Sequence, residues 1–492
     1  MNILLIYPQF PDTFWSFKHA LKFIRKKSSS PPLGLLTIAA MLPAEWDKRL
    51  VDINITPLTL KDLKWADYAF ISAMTVQRES VNKIIAQCKE AGVKIVAGGP
   101  LFTVEPDQFS GIDYFVLNEA EITLPTFLVD LEQGHPQHSY STSAFADIQK
   151  SPTPVWQLIK LNSYATMNVQ FSRGCPFNCD FCNITSLLGH TPRTKTAQQM
   201  ITELDGLYNY GWRGGVFFVD DNLIGNKKTL KTDLLPALIE WRKDKRDIWF
   251  NTEVSINLAD DEQLMKMMTD AGFNMVFIGI ETSNEGSLAE CGKKQNLNRN
   301  LLEDVRKIQR AGMQVQGGFI VGFDSDTSST FTNLISFIQK SGIVTAMVGI
   351  LQAPPGTELY KRLQRSGRLV KQMSGDNVDG STNIVPLMDL QILQDKYKSL
   401  LKTIYSPKAY YQRVKTFLQE YTLPKIDAHL DFQQILAFFR SIFRLGILGK
   451  ERLNYWKLFF WTLIHKPKAF PLAIEFAIYG YHFRKISNSH IS

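Results

Sequence analysis

Short apolar runs alternating with helical patterns constrain this chain more than any other feature, and they come in two series. The first occupies Asn2 to Tyr7, Arg49 to Ile53, Tyr68 to Ala73, Lys94 to Ala97 and Tyr114 to Leu117. Alternation of this kind builds a parallel, doubly wound sheet whose ligand sits beyond the carboxyl ends of the strands. Those ends carry Asp52, Ser72-Ala73-Met74-Thr75, Gly98-Gly99-Pro100 and Asn118-Glu119-Ala120-Glu121. Glycines there either let a backbone approach a ligand closely or simply make a tight turn. The second series lies near 165–171, 215–219, 247–255, 275–280, 314–321 and 345–351. Six such units predict a partial (β/α)6 barrel with its chemistry at the strand ends. From Asn383 onward the pattern is helical, over Asp389 to Tyr405, Pro407 to Tyr421, Phe432 to Leu445, Lys450 to Ile464 and Pro471 to Tyr481. The expected class is α/β: a doubly wound domain over 1–135, a connector over 136–160, a partial barrel over 161–380 and a helical domain over 381–492.

Directly after the first run of the second series comes Arg173-Gly-Cys175-Pro-Phe-Asn-Cys179-Asp-Phe-Cys182, a C-x3-C-x2-C spacing. Thiolates are the ordinary ligands of iron–sulfur clusters, and three in one loop can hold three irons of a [4Fe–4S] cube. The fourth iron is then open to a small molecule. A closed zinc site wants four protein ligands, and the nearest fourth candidate is His190, with no second Cys or His pair following. Cys88 and Cys291 stand alone and read as inert thiols. Thr196-Ala-Gln-Gln199 reads as a capping box opening a helix, and Asp261 as the cap of the helix beginning at Glu262.

With 492 residues the chain needs more than one core. Five cysteines, three of them clustered, form no disulfide framework, and an oxygen-sensitive cluster needs a reducing interior; a cytoplasmic location is expected. No run reaches the length of a membrane span, and Met1 to Tyr7 reads as a strand rather than a signal peptide. The net charge of +8 is uneven: residues 432–492 hold nine Lys and Arg against two Glu, with 14 of the 57 aromatics. Such a segment suits peripheral contact with the inner face of a membrane, a cover over a large apolar ligand, or an ordinary helical cap with a solvated basic face.

The cysteine loop, with an aromatic before its last cysteine, resembles the signature of the radical S-adenosylmethionine (SAM) enzymes. Over nearly its whole length the chain resembles the cobalamin-dependent members of that family, in the subfamily of hopanoid C-2 methylase and bacteriochlorophyll side-chain methylases. The ordered set that carries this is Pro31-Pro32-Leu33-Gly34-Leu35, Gly98-Gly99-Pro100, the cysteine loop, Pro192-Arg193-Thr194-Lys195, Val219-Asp-Asp-Asn222, Gly292-Lys-Lys-Gln295 and Tyr479-Gly-Tyr-His-Phe483. The resemblance implies a Rossmann-like B12-binding domain, a radical SAM barrel and three cofactors: a [4Fe–4S] cluster, SAM and cobalamin. One SAM would methylate the cobalamin and another would be cleaved to a 5′-deoxyadenosyl radical, so that a methyl group passes to an unactivated carbon. Relatives with the same architecture instead cyclise, rearrange or oxidise their substrates. A non-enzymatic cobalamin or redox sensor is the other alternative.

The resemblance further implies cluster ligands at Cys175, Cys179 and Cys182, with Phe181 packing on the adenine. Asp220, Glu253, Glu281 and Gly318 are the implied SAM contacts; Ser72, Thr75, Gly98, Gly99 and Glu119 are the implied cobalamin contacts. A reducing protein such as flavodoxin or ferredoxin is implied as a partner. The basic aromatic tail points to a large apolar substrate, such as a polycyclic lipid or tetrapyrrole. Nucleic acid is not expected: methylthiotransferases acting on tRNA need further cysteines in the first domain, where Cys88 stands alone. Two departures from the family pattern stand out. Asn118 takes a position where the family often has Gly, and no Asp-x-His-x-x-Gly motif supplies a histidine to cobalt.

Overall fold

The computed structural model describes residues 1–423 and 432–491. Its first sheet contains β1 (Asn2–Tyr7), β2 (Asp47–Asp52), β3 (Tyr68–Ser72), β4 (Lys94–Gly98), β5 (Tyr114–Val116) and β6 (Ser139–Tyr140). All pair in parallel, in the order β2-β1-β3-β4-β5-β6. Leu4, Ile6 and Ile71 pack into one flanking core, and Ile3, Leu5 and Phe70 into the other. That is the two-sided burial a parallel sheet requires. Five strands match the apolar runs of the sequence. The sixth, β6, is two residues of the expected connector, too short to show a period.

The second sheet holds β7 (Met167–Val169), β10 (Gly214–Phe218), β11 (Ile248–Glu253), β12 (Phe273–Glu281), β13 (Gln314–Val321) and β14 (Ala346–Ile350), parallel throughout in the order β14-β13-β12-β11-β10-β7. Spatial order follows chain order, and β7 and β14 remain unjoined at the two edges. This is the partial barrel that the six units predicted. Between β7 and β10 lies a short antiparallel pair, β8 (Ser172–Arg173) and β9 (Arg193–Thr194), which staples the base of the cysteine loop.

An open edge strand leaves backbone groups without partners, and the C-terminal helices manage that edge. Tyr397 and Tyr405, on and just after the helix Leu390–Ile404, donate their hydroxyls to the carbonyls of Val348 (2.9 Å) and Ala346 (2.5 Å) in β14. The last helix, Phe470–Ile491, runs ten residues beyond the expected Tyr481. Its Tyr479-Gly-Tyr-His-Phe483 stretch binds an excursion of the N-terminal domain: Phe14 stacks on Phe483 at 4.3 Å, and His482 Nε2 donates to the Phe14 carbonyl at 2.9 Å. Burial pushes the His482 imidazole down to about 4, which keeps it neutral. Thr196 and Asp261 cap their helices as expected, accepting from the backbone of Gln199 and Leu264.

Candidate functional site

The cysteine loop is built on two neighbouring aspartates beyond the end of β10. Asp220 accepts from the backbone of Phe171 (3.1 Å), from the Ser172 backbone and from the Ser172 hydroxyl (2.5 Å). Asp221 accepts from Gly174 N–H at 3.0 Å. Gly174 is left-handed (φ 95°), and a Cβ there would press within 3.0 Å of the carbonyls of Gly189, Leu188 and Thr191. Only glycine lets the loop close on itself at this point. Further on, Cys175 N–H donates to Gly189 O (3.2 Å) and Cys182 N–H to Cys179 O (3.1 Å).

The three thiols lie close enough to feel one another's charge, and each is partly exposed. Burial raises all three, Cys182 to about 12, so the metal-free chain holds them protonated. A cation sits among them: Lys293 senses each thiol and pairs with Glu281 at 2.6 Å. Gln295 Nε2 approaches Cys179 Sγ at 3.8 Å. Glu281 reaches this place because β12 shifts register between Gly279 and Glu281, where the backbone turns left-handed (φ 63°). Such a bulge re-aims a side chain at a strand end. Cys291 is buried, with its thiol on the Leu288 carbonyl at 3.6 Å, in keeping with an inert role. Cys88 is likewise buried.

A cavity of about 2780 Å³ opens beside this loop. From the barrel it is lined by Phe181, Cys182, Glu253, Glu281 and Gly318, and from the first sheet by Ser72, Thr75, Gly98, Gly99 and Glu119. Ten of the residues named from the sequence therefore face one space. Asp220 does not. It is buried under the loop it supports, its carboxyl raised to about 7 by desolvation against three hydrogen bonds, and Asp221 is the aspartate that lines the cavity. Glu253 is also raised, to about 8, by burial and by the nearby Asp221 and Asp220. Its carboxylate has no hydrogen-bond partner among the described residues.

The glycines need a different explanation from the one their position suggested. A Cβ on Gly318 would meet the Phe277 ring at 2.7 Å, and one on Gly98 would meet the Val116 carbonyl at 2.6 Å. Gly99 (φ 85°) would strike the Ser72 hydroxyl. They are small because the protein itself packs against them, and the cavity benefits secondarily. Asn118 is left-handed (φ 62°), a conformation that Gly adopts freely and that Asn tolerates better than most other residues.

Glu119 has a second task. It accepts from Arg193 (2.8 and 2.9 Å) and Arg173 (3.3 Å), while Arg173 also binds Glu121 at 2.8 and 3.0 Å. The first sheet thus grips the cysteine loop. Tyr164 adds another tie, donating to the buried Asp52 at 2.9 Å. Lys293, Gln295, Asp221 and Arg173 were not singled out from the sequence. All four stood inside motifs quoted for the resemblance or the cysteine loop, so proximity to those motifs was the available signal.

The residues suit the groups that the resemblance implies. Three clustered thiols without a fourth protein donor match a cube with one open iron, and His190 is exposed. No three His, Cys, Asp or Glu side chains among the described residues form a group that could hold a single metal ion. The cavity spans both sheets and has room for a bulky planar cofactor. No histidine among the described residues lines it, so cobalt would find no imidazole there.

Comparison with known proteins agrees along the chain. Residues 24–128 match the B12 binding domain, 169–338 the radical SAM superfamily and 357–492 a domain of unknown function (DUF4070). The chain is 38% identical to an uncharacterized methyltransferase of Synechocystis sp., over 98% of this chain and 91% of that one. It is 34% identical to the hopanoid C-2 methylase of Rhodopseudomonas palustris, over 93% and 88%. Among solved structures, the cobalamin-dependent SAM radical enzyme OxsB superposes with a TM-score of 0.63 at 14% identity, covering 99% of this chain and 84% of that one. The radical SAM methyltransferase TsrM of Kitasatospora setae gives 0.63 at 12% identity, over 93% and 98%. These two show a shared fold, and the full-length kinship with curated methylases carries the activity: the chain belongs to the cobalamin-dependent radical SAM methyltransferases.

Proposed function

We propose that this enzyme methylates an unactivated carbon of a large apolar molecule, a polycyclic lipid or a tetrapyrrole, met at the inner face of the membrane. Hopanoid C-2 methylase and the bacteriochlorophyllide d C-8(2)-methyltransferase of Chlorobaculum tepidum, 25% identical over 80% of this chain, are relatives whose names carry such acceptors. The supporting observation is the single cavity lined by the cysteine loop on one side and by Ser72, Thr75, Gly98 and Gly99 on the other. Its lining exposes more apolar than polar surface.

In this reading Cys175, Cys179 and Cys182 hold the cluster. When bound, the cluster with SAM supplies a hydrogen-abstracting radical, and cobalamin supplies the methyl group. The chain's own residues do the placing. Phe181 offers an aromatic face, Glu253 offers a carboxyl group that an ammonium can draw into the ionised form, Glu281 offers a second carboxyl group, and Gly318 lines the lumen beside them. Lys293 holds Glu281 and puts positive charge beside the thiolates, which favours electron uptake from a flavodoxin or ferredoxin. Residues 1–135 carry the cobalamin, with Ser72 and Thr75 at its edge and Glu119 fixing that edge to the cysteine loop. The surrounding walls exclude water from the radical.

Anaerobic incubation of the reconstituted enzyme with methyl-labelled SAM, a reductant and lipid or pigment extracts tests this. Label is expected in an extract component that gains one methylene mass. Production of 5′-deoxyadenosine with no label in any product would favour cyclisation, rearrangement or oxidation, and absence of 5′-deoxyadenosine would favour a sensor.

A further inference from the structure

Two C-terminal helices present apolar stripes that no other described residue covers. On the helix Phe432–Ser441 and its wider continuation Ile442–Ile447, Ile435, Phe439, Phe443 and Ile447 recur every fourth residue on the exposed side. On the neighbouring helix Arg452–His465, Leu453, Phe460 and Ile464 fall on one side at spacings of seven and four residues, with Leu453 72% and Ile464 75% exposed. The helices touch where Trp456 Nε1 donates to the Gly446 carbonyl at 2.9 Å, so the stripes join into one patch. A contiguous apolar patch of this kind on a soluble domain marks an interaction surface.

The rim says what covers it. Arg444, Lys450, Arg452 and Lys457 are exposed on the same two helices and the turn between them. Among the described residues none of the last three has a carboxylate partner, and Glu451, the one acid of that turn, is buried against Arg484. Apolar side chains flanked by unpaired cations match an anionic bilayer, whose acyl region takes the first and whose headgroups take the second. No helix among the described residues is long and apolar enough to cross a membrane, so the contact is with one leaflet.

The patch also continues inward. Ile435 and Phe439 are exposed and also line the large cavity, together with Phe438, Leu472 and Ile478. From there the cavity passes through the barrel lumen, along inward-facing Trp249, Asn251 and Glu253 of β11 and Gln314, Gln316 and Gly318 of β13, to Cys182. We infer that the surface formed by residues 435–464 docks on an anionic membrane leaflet and that the apolar acceptor enters from the bilayer beside Phe439, travelling up the lumen to the cofactor end. The route rests on an apolar acceptor, as proposed above; the docking does not.

Sedimentation of the full-chain holoenzyme with phosphatidylcholine vesicles, with and without phosphatidylglycerol, tests the docking without SAM or acceptor. A failure here therefore leaves the methyl-transfer reading untouched. Wild-type protein is expected to sediment with the phosphatidylglycerol vesicles, and brominated acyl chains should quench its tryptophan fluorescence. Leu453→Asp/Ile464→Asp, two exposed positions outside the cavity, should weaken partition by about a hundredfold. Lys450→Glu/Lys457→Glu, which leaves the apolar stripes intact, should abolish the preference for phosphatidylglycerol. Wild-type protein left in the supernatant, or variants that sediment as it does, would overturn the inference. So would a dimer in vesicle-free solution, seen by light scattering, that the Leu453→Asp/Ile464→Asp change dissociates, because the patch would then belong to a second copy.

Discussion

Arg173, two residues before the first cysteine of the cluster loop, lies with Nη2 2.8 Å from Oε1 of Glu121, in the first turn of the helix Ala120–Glu132 that follows β5. Glu119 reaches the same guanidinium at 3.3 Å and holds Arg193 at 2.8 Å, on the strand that closes the loop from the other end. Two acids of one domain therefore fix both ends of the other domain's cysteine loop. All four side chains are largely buried. Removing one partner leaves an uncompensated charge, which typically costs about 3–5 kcal/mol. Arg173→Met should lower stability by an amount of that order in urea unfolding. In enzyme that still folds, it should raise 5′-deoxyadenosine formation relative to methylated product, because the two cofactors lose their common reference.

The same clasp has a pH signature. Burial alone would raise Glu121, but hydrogen bonds and charge from Arg173 outweigh it and bring the carboxyl down to about 2. A depressed acid contributes stability above its unfolded value, and that contribution fades as pH falls from about 4.5 toward about 2. Urea unfolding of the cofactor-free chain should show wild type more stable than Glu121→Gln at pH 7. The gap should close progressively below about pH 4.5.

Glu253 works in the opposite sense. Held at about 8, it keeps its proton in the cofactor-free chain, so its contribution to stability declines as pH rises between its unfolded value and about 8. Glu253→Gln should therefore stabilise the cofactor-free chain relative to wild type at pH 8, and the difference should shrink as pH falls toward about 4.5. A SAM ammonium beside the carboxylate favours ionisation, so wild-type binding should release a proton and tighten toward pH 8. Isothermal titration in two buffers of different ionisation enthalpy should detect that proton, and Glu253→Gln should bind SAM more weakly and release none.

Cys175→Ala, Cys179→Ala and Cys182→Ala should each abolish the broad visible absorbance of the reconstituted cluster and 5′-deoxyadenosine formation. Cys88→Ala and Cys291→Ala should keep both. Retained absorbance in any of the first three would reassign that ligand.

Lys293→Met separates a charge effect from a packing effect. Losing a cation beside the thiolates disfavours the reduced cluster, and about 1 kcal/mol of that stabilisation corresponds to about 40 mV for one electron. The cluster potential should move negative by tens of millivolts, read by redox titration with electron paramagnetic resonance. Gln295→Leu, which removes the 3.8 Å contact with Cys179, should shift it the same way by less.

What local pattern could reveal, it did. The strand runs alternate with helices at spacings that leave few other folds, and the cysteine spacing is a chemical statement that needs no neighbours. Residues at strand ends were legible as a group, because a parallel sheet directs all of them toward one side. Which member of an adjacent pair faces the cavity was not. Asp220 and Asp221 differ in which groups come to meet them, and those groups belong to residues nearly fifty positions earlier in the chain.

The sequence by itself determined the fold class, the order of its parts and the cofactors. Only the tertiary structure decided how the side chains divide the work: Asp220 beneath the loop, Glu119 in a clasp with Arg173 and Arg193, Lys293 among the thiols, and Phe439 at the cavity mouth. The reason is physical. Periodicity and ligand spacing are properties of neighbours along the chain, whereas ion pairs, desolvation and a shared cavity depend on distances between residues that only folding brings together.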